Sequence, residues 1–264
     1  GRAHRSQRPS AETGAMTAKR FRLDQALVER GLFLSRARAQ GAIEAGLVTV
    51  GGRPVTKSSA PVDPQAELQV LGDTHDYVSR GGVKLAAALK AFSIDPAGLV
   101  SLDLGASTGG FTEVLLRAGA GRVYAVDVGH GQLHPSLAAE RRVVSLDRTH
   151  AKELSRAIIP DALDLIVCDV SFISLMKALP PALALAARSA KVVALVKPQF
   201  EVGKAGLGKG GIVKDGEIVG PRIAREIADW LARDYGFTPL GLVESPIDGG
   251  DGNKEYLIGA LRTA

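Results

Sequence analysis

Apolar and polar positions change rhythm part-way along the chain. Between Phe21 and Ser59, Leu23, Ala26 and Leu27, with Gly31 and Leu32 one turn on, mark a helical stripe. Ser35 is a good N-cap for a second helix over Arg36–Ala45, closed by Gly46. "LVTV", "GG" and "RPVT" then read as a β-hairpin in which Gly51 and Gly52 take positive φ. A last short strand, "AELQVL", leads into a polar connector near Gly72–Asp76. From Tyr77 onward, apolar strands alternate with helical segments, the pattern of a mostly parallel sheet covered on both faces. Strands are predicted at Val100–Leu104, Arg122–Val126, Val143–Leu146, Leu163–Cys168, Val192–Val196, Leu240–Glu244 and Tyr256–Leu261. The fold class is α/β: a Rossmann-like sheet preceded by a small α+β domain. The expected division is a basic, disordered tail over 1–20, a small domain over 21–72, a linker over 73–78 and the large domain over 79–264.

Composition adds limits. The 264 residues are 45% hydrophobic and 23% charged, ordinary for a globular protein. The single cysteine, Cys168, rules out an intrachain disulfide and points to a reducing compartment, hence a cytoplasmic location. No uncharged apolar run approaches the ~18 residues a membrane span needs. The longest, "ALPPALALAA", carries two prolines. The first residues lack the apolar core of a secretory signal, and Met16 is a plausible start.

Charge is uneven. Residues 1–22 hold six basic side chains against Glu12, so the net +5 of the whole chain sits in this segment. Arg22 ends it, Arg36 and Arg38 open the second helix, and Arg53 and Lys57 flank the hairpin. A basic face of this kind suits a polyanion such as RNA. The order "RLDQALVERGL", "SRARAQGAI", "GLVTVGGRPV" resembles the S4-like RNA-binding module, whose second helix and hairpin form the RNA face.

The candidate chemistry starts at "SLDLGASTGGFTEVLL" (101–116), a strand, a small-residue turn and a helix. Its glycines miss the spacing of the dinucleotide fingerprint, and no Walker lysine follows. A loop that need not bind phosphate suits S-adenosylmethionine. Three acids at strand ends support that cofactor: Asp103 for the ammonium group, Asp127 for the ribose hydroxyls and Asp147 for the adenine side. Gly105, Ser107, Gly109, Gly110 and Phe111 complete the expected loop contacts, with Asp169 near the transferred methyl.

"DLGASTGGFTEVLL" resembles the first motif of FtsJ-type ribose methyltransferases. With "SRGGVKL", "VCDVSFISL", "LVKPQFEVGK" and "GNKEYLI", nearly the whole chain is similar to the TlyA family. Members join an S4-like module to an FtsJ-like class I methyltransferase domain. They methylate the cytidine 2'-hydroxyl in ribosomal RNA, here expected in 23S with 16S a second candidate, and many are called hemolysins. The resemblance implies a Lys84–Asp169–Lys197–Glu255 tetrad. In it, Lys197 activates the hydroxyl, Asp169 positions Lys197, and Lys84 and Glu255 orient the ribose. Such a lysine needs a pKa brought down from ~10.4 towards ~7–8. Arg80, beside Lys84, is an added RNA contact.

Competing chemistries find less. Cytosine C5 transfer needs a cysteine nucleophile, but Cys168 faces the side of its strand opposite to Asp169. Base-amine transfer usually uses an Asp/Asn-Pro-Pro-aromatic run, where this chain has "DVSF". Phe172 or Phe200 could stack on a base. His130 and His134 have a metal-compatible spacing, but Gly131 and Pro135 oppose a helix there and no third ligand follows, so no metal is expected. A membrane-active hemolysin and a non-catalytic RNA-binding assembly factor are the rival functions.

Overall fold

The computed structural model describes residues 20–33, 35–71 and 77–263. Residues 1–19 of the tail expected over 1–20, and residues 73–76 of the linker expected over 73–78, lie outside them.

The small domain is built from β1 (Phe21–Arg22), α1 (Leu23–Glu29), α2 (Arg36–Glu44), β2 (Val48–Val50), β3 (Arg53–Pro54), β4 (Pro61–Val62) and β5 (Leu68–Val70). Ser35 caps α2 as expected, its Oγ accepting from the Arg38 backbone N–H at 3.3 Å. Gly51 and Gly52 turn the hairpin at φ +57° and +79°. β2 pairs with both β3 and β5, and β1 pairs with β4. The strand read from "AELQVL" is shorter, because Ala66 is drawn into a turn by its N–H donating to the Asp63 carbonyl. Leu23, Leu27, Ile43 and Val48 are fully buried, each worth roughly 1.5–3 kcal/mol relative to exposure.

The large domain runs α3 (Gly81–Ala91), β6 (Val100–Leu104), α4 (Gly110–Arg117), β7 (Arg122–Val126), α5 (Pro135–Ala138), β8 (Val143–Leu146), β9 (Leu163–Cys168), α6 (Leu175–Ala178), α7 (Pro180–Leu183), β10 (Ala186–Val196), α8 (Gly216–Tyr235), β11 (Phe237–Glu244) and β12 (Tyr256–Arg262). The seven strands form one sheet in the order β11-β12-β10-β9-β6-β7-β8. β12 is antiparallel to both its neighbours, and β8-β7-β6-β9-β10 pair in parallel. Strand alternation sends Leu165, Val167, Val193 and Leu195 to one buried face with Leu85, Leu89 and Leu115. Ile166, Cys168, Val192 and Ala194 go to the other with Ile227, Trp230 and Leu231 of α8.

Two strands are longer than periodicity predicted. β10 starts at Ala186, which pairs with Leu163 before a register shift leads to Lys191. β11 starts at Phe237 and passes Pro239 at an irregularity. A proline is tolerated there because β11 is an edge strand.

Chain order reverses between β6 and β9, where β6 leads outward to β7 and β8 and the later strands return on the other side. The crevice above the carboxyl ends of such a pair is where open α/β sheets take ligands. The domains touch on the α3–α4 side. Val83 joins the small domain's apolar cluster, and Arg38 of α2 lies 3.6 Å from Glu113 of α4.

Candidate active site

The turn after β6 is shaped by contacts that leave no room for side chains. Gly105 has φ +84°, and a Cβ there would lie 2.1 Å from the Asp169 carbonyl. At Gly110 a Cβ would meet Ser79 Oγ at 2.1 Å and the Gly82 nitrogen at 2.8 Å. The turn is therefore pressed between the end of β9 and the start of α3, the two places that carry Asp169 and Lys84.

Those residues, with Lys197 and Glu255, line a single cleft of about 270 Å³. Lys197 leaves the end of β10 and Asp169 the end of the adjacent β9. Lys197 Nζ lies 2.6 Å from Asp169 Oδ1 and donates to Ser171 Oγ at 2.9 Å. Lys84, from α3, pairs with Glu255, just ahead of β12. Both members of this second pair are buried, at 5% and 3% exposure. Ion pairs this far from water survive only when each charge has its partner. Each lysine thus has its own carboxylate within the cleft, and Arg80 adds a third cation to its lining. Burial acts to lower the Lys197 pKa, but the carboxylates of Asp169 and Glu255 outweigh it and the net shift is upward. The lowered lysine expected from the chemistry is not the state of the chain alone.

The predicted cofactor residues separate into two groups. Gly105, Ser107, Gly110 and Phe111 line the cleft with the tetrad. Ser107 also borders a second pocket with Asp127 and Asp147, of about 220 Å³. Both Gly105 and Ser107 reach a third, of about 650 Å³, with Asp127, Asp169 and Phe172. The three form a trough around Ser107. Asp127 accepts backbone N–H bonds from Ser107 at 3.1 Å and Gly129 at 2.9 Å. Asp147 contacts His130 Nδ1 at 2.7 Å and accepts from Gly131 N–H at 3.2 Å. Gly109 stands behind at φ +105°, a conformation that disfavours any side chain, with the tips of Leu137 and Leu133 packed against it.

Asp103 is the surprise of this group. It is fully buried and accepts a 2.7 Å hydrogen bond from Thr112 Oγ1. Its Oδ1 has no hydrogen-bond partner among the described residues. Burial pushes its pKa up to about 7; Thr112 opposes that rise and Asp169 adds to it. Cys168 is fully buried, on the opposite side of its strand from Asp169, and burial pushes its thiol up as well. His134 caps α5, and His130 is taken by Asp147, so the two histidines do not converge.

The expected RNA-facing residues also divide. Asp24, fully buried, holds Arg22 at 3.1 Å and Arg36 at 3.2 Å, and Gln40 donates to it at 2.7 Å. Both arginines stay about half exposed. Arg53 and Lys57 are exposed. Arg38 instead turns to the large domain, 3.6 Å from Glu113. Arg80 lines the cleft and donates to the Asp248 carbonyl.

A family comparison matches residues 77–262 to the FtsJ-like methyltransferases and 21–68 to the S4 domain. The chain belongs to the FtsJ-like methyltransferase family. Within that family its relatives are of the TlyA type. It is 47% identical over 242 residues to the 16S/23S rRNA (cytidine-2'-O)-methyltransferase TlyA of Mycobacterium tuberculosis, covering 91% of this chain and 90% of the relative. It is 40% identical to Hemolysin A of Brachyspira hyodysenteriae, covering 90% and 98%. The solved structure of a hemolysin-named protein from Streptococcus thermophilus superposes with a TM-score of 0.71 at 38% identity, covering 93% and 90%. Among the described residues of this FtsJ-like chain, no helix is long and apolar enough to cross a membrane.

Three residues of the site escaped sequence reading. Thr112 sits in the first turn of α4, nine residues after Asp103, where a strand–turn–helix unit folds back on its own strand end. Ser171 follows Asp169 by two residues and meets Lys197. Asp24 carried no assigned role in the sequence; its contacts with Arg36 and Gln40 join two helices across a turn that no periodicity signals.

Proposed function

We propose that this chain transfers a methyl group from S-adenosylmethionine to the 2'-hydroxyl of cytidine in ribosomal RNA. The observation that carries the reading is the pairing of two lysines with two carboxylates in one cleft at the sheet's switch point. The trough beside it suits the cofactor. Asp103 lines none of the three pockets, but it keeps a buried, unpartnered carboxylate oxygen for an ammonium group, directly or through water; Asp127 offers a carboxylate to the ribose hydroxyls, and the Gly105 turn has no room for a side chain. When bound there, the cofactor supplies an electrophilic methyl.

The chain's own residues supply the rest. Lys197 accepts the hydroxyl proton, and Asp169 fixes the direction of its amine. Lys84 and Glu255 hold the ribose side of the cleft. Because Asp169 and Glu255 raise the Lys197 pKa, proton uptake needs a countervailing positive charge nearby, and a cationic ligand in the cleft acts in that direction. Arg22, Arg36, Arg53 and Lys57 hold the structured RNA by its phosphates, and 23S rRNA is the first substrate to try, then 16S. A cytoplasmic site of action follows from that substrate.

The test is labelled methyl transfer to rRNA and to isolated ribosomal subunits, followed by mapping of the modified atom. Label on a cytidine 2'-oxygen is expected. Label on a base, or none with cofactor and RNA both bound, overturns the reading. Vesicle leakage caused by the purified protein would favour the hemolysin reading instead.

A further inference from the structure

Lys197 and Glu255 flank the neighbouring strands β10 and β12, and the two strand ends are joined by a second route besides the backbone ladder. Lys197 comes one residue after β10, and Gln199 follows two residues later in a short turn, at 9% exposure. Glu255 precedes β12, and Asn253 stands two residues before it, at 3% exposure. The carboxylate of Asp251 lies between them. Gln199 Nε2 donates to its Oδ2 at 3.2 Å. Asn253 Nδ2 donates to the same oxygen at 2.9 Å, and the Asn253 backbone N–H donates to Oδ1 at 3.0 Å. Asn253 reaches further. Its Oδ1 accepts from Val213 N–H at 3.0 Å and its Nδ2 donates to the Gly211 carbonyl at 3.1 Å. The glycine- and lysine-rich segment after β10 is thereby tied to the same point.

We infer that Asp251 is a positioning residue that sets the Lys84–Glu255 pair relative to the Asp169–Lys197 pair. The β10–β12 ladder ends at Val196 opposite Tyr256. Lys197 and Glu255 both lie one residue beyond it, where backbone pairing no longer sets their spacing. Asp251 bridges that gap from outside the cleft: it does not line the cavity that holds the tetrad. Nor is it among the charges that shift Lys197, so its effect runs through geometry. The inference rests on the tetrad reading above.

The experiment compares Asp251→Ala, Asp251→Asn and the exchange Asp251→Asn with Asn253→Asp in the full-length protein. Each is assayed for kcat and KM on ribosomal subunits, cofactor affinity by calorimetry and the pH profile of kcat. A displacement of reacting groups by about 1 Å costs up to about 100-fold, so Asp251→Ala is expected to lower kcat about 10-fold or more. KM, cofactor affinity and the pH at which activity rises stay within about twofold. Asp251→Asn loses less, because its amide oxygen still accepts from Gln199 Nε2; the exchange keeps that contact but sets a carboxylate at position 253 against the Gly211 carbonyl, so it recovers no more than Asp251→Asn does. If Asp251→Ala does not fold, Gln199→Leu removes the strut from the Lys197 side alone, with an expected kcat loss of about threefold. Unchanged kcat in the folded variants, or a shifted pH profile, overturns the inference. Glu255→Gln in the same assay separates the two failures: full activity there sinks the tetrad reading itself, whereas an inactive Glu255→Gln beside a fully active Asp251→Ala sinks only the role of Asp251.

Discussion

Both domains bury carboxylates against cations, but to opposite ends. In the small domain one buried acid, Asp24, gathers Arg22 and Arg36, and both arginines keep about half their surface in water. Cations outnumber the acid, and the surplus faces outward. In the large domain Lys84 and Glu255 are both out of water, and Asp169 and Lys197 largely so. There each lysine is matched by its own carboxylate. A surplus at the surface serves binding of a polyanion, because each exposed cation can meet a phosphate. A paired, water-poor cluster serves reaction, because moving one proton changes the energy of every neighbour.

The sharpest way to break this contrast is Lys197→Ala. It is expected to lower methyl transfer by about 10²–10⁴-fold, while RNA affinity in a filter or gel-shift assay stays within about twofold. Glu255→Gln comes next. It leaves Lys84 buried without its counter-charge, a defect of about 3–5 kcal/mol, visible in thermal or urea unfolding as well as in turnover.

Asp103 gives a test in pH. Its carboxyl, with a pKa of about 7, sits above the ordinary ~3.9 of an aspartate. The folded chain therefore holds a proton that the unfolded chain has lost, and stability falls as pH rises from about 4 to about 7. Asp103→Asn is expected to be more stable than the parent at pH 8 yet to bind S-adenosylmethionine more weakly. In the parent, calorimetry should show cofactor affinity climbing through pH 7, as the carboxylate becomes charged opposite a cationic ligand. A flat profile would mean that Asp103 does not face the ammonium group.

Asp24 runs the other way. Burial alone would raise its pKa, but Arg22, Gln40 and Arg36 together hold it well below the usual carboxylate range. Its contribution is present above about pH 4 and is lost only as pH falls below that value. Asp24→Asn should cost about 1–3 kcal/mol at pH 7, with the gap to the parent closing in acid. The smallest effect is expected at Arg38→Ala, which removes a 3.6 Å contact between the domains. A change in stability of under about 1 kcal/mol is expected, with RNA affinity reduced less than by Arg36→Ala.

Much of the site was legible because the relevant neighbours follow from local order. A strand, a small-residue turn and a helix place Gly105 and Gly110 at a sheet edge, and parallel pairing of β6 with β9 sets Asp169 beside that turn. Lys197 follows in the same way, one residue past the end of β10. The pairing of Lys84 with Glu255 was less accessible. The two are 171 positions apart, and the family resemblance rather than any periodicity brought them together. Arg38 illustrates the limit from the other side. Its place on α2 suggested an RNA contact, but α2 packs against the large domain at Val78 and Glu113 and takes Arg38 with it.

By itself, the sequence determined the two domains, the order of strands and helices, and which residue types stand at the strand ends. These depend on periodicities of two and of 3.6 and on turn chemistry, all properties of neighbours in the chain. Only the tertiary structure decided which charges are paired and which carboxylate is left wanting a proton. Burial and charge separation are distances in space, and electrostatic energy follows those distances and the local dielectric, not position along the chain. Asp24 and Asp103 are both wholly buried acids, yet four donors (Arg22, Gln40, Arg36 and the Gln25 backbone N–H) hold the first well below the usual range, while Thr112 alone leaves the second at about 7.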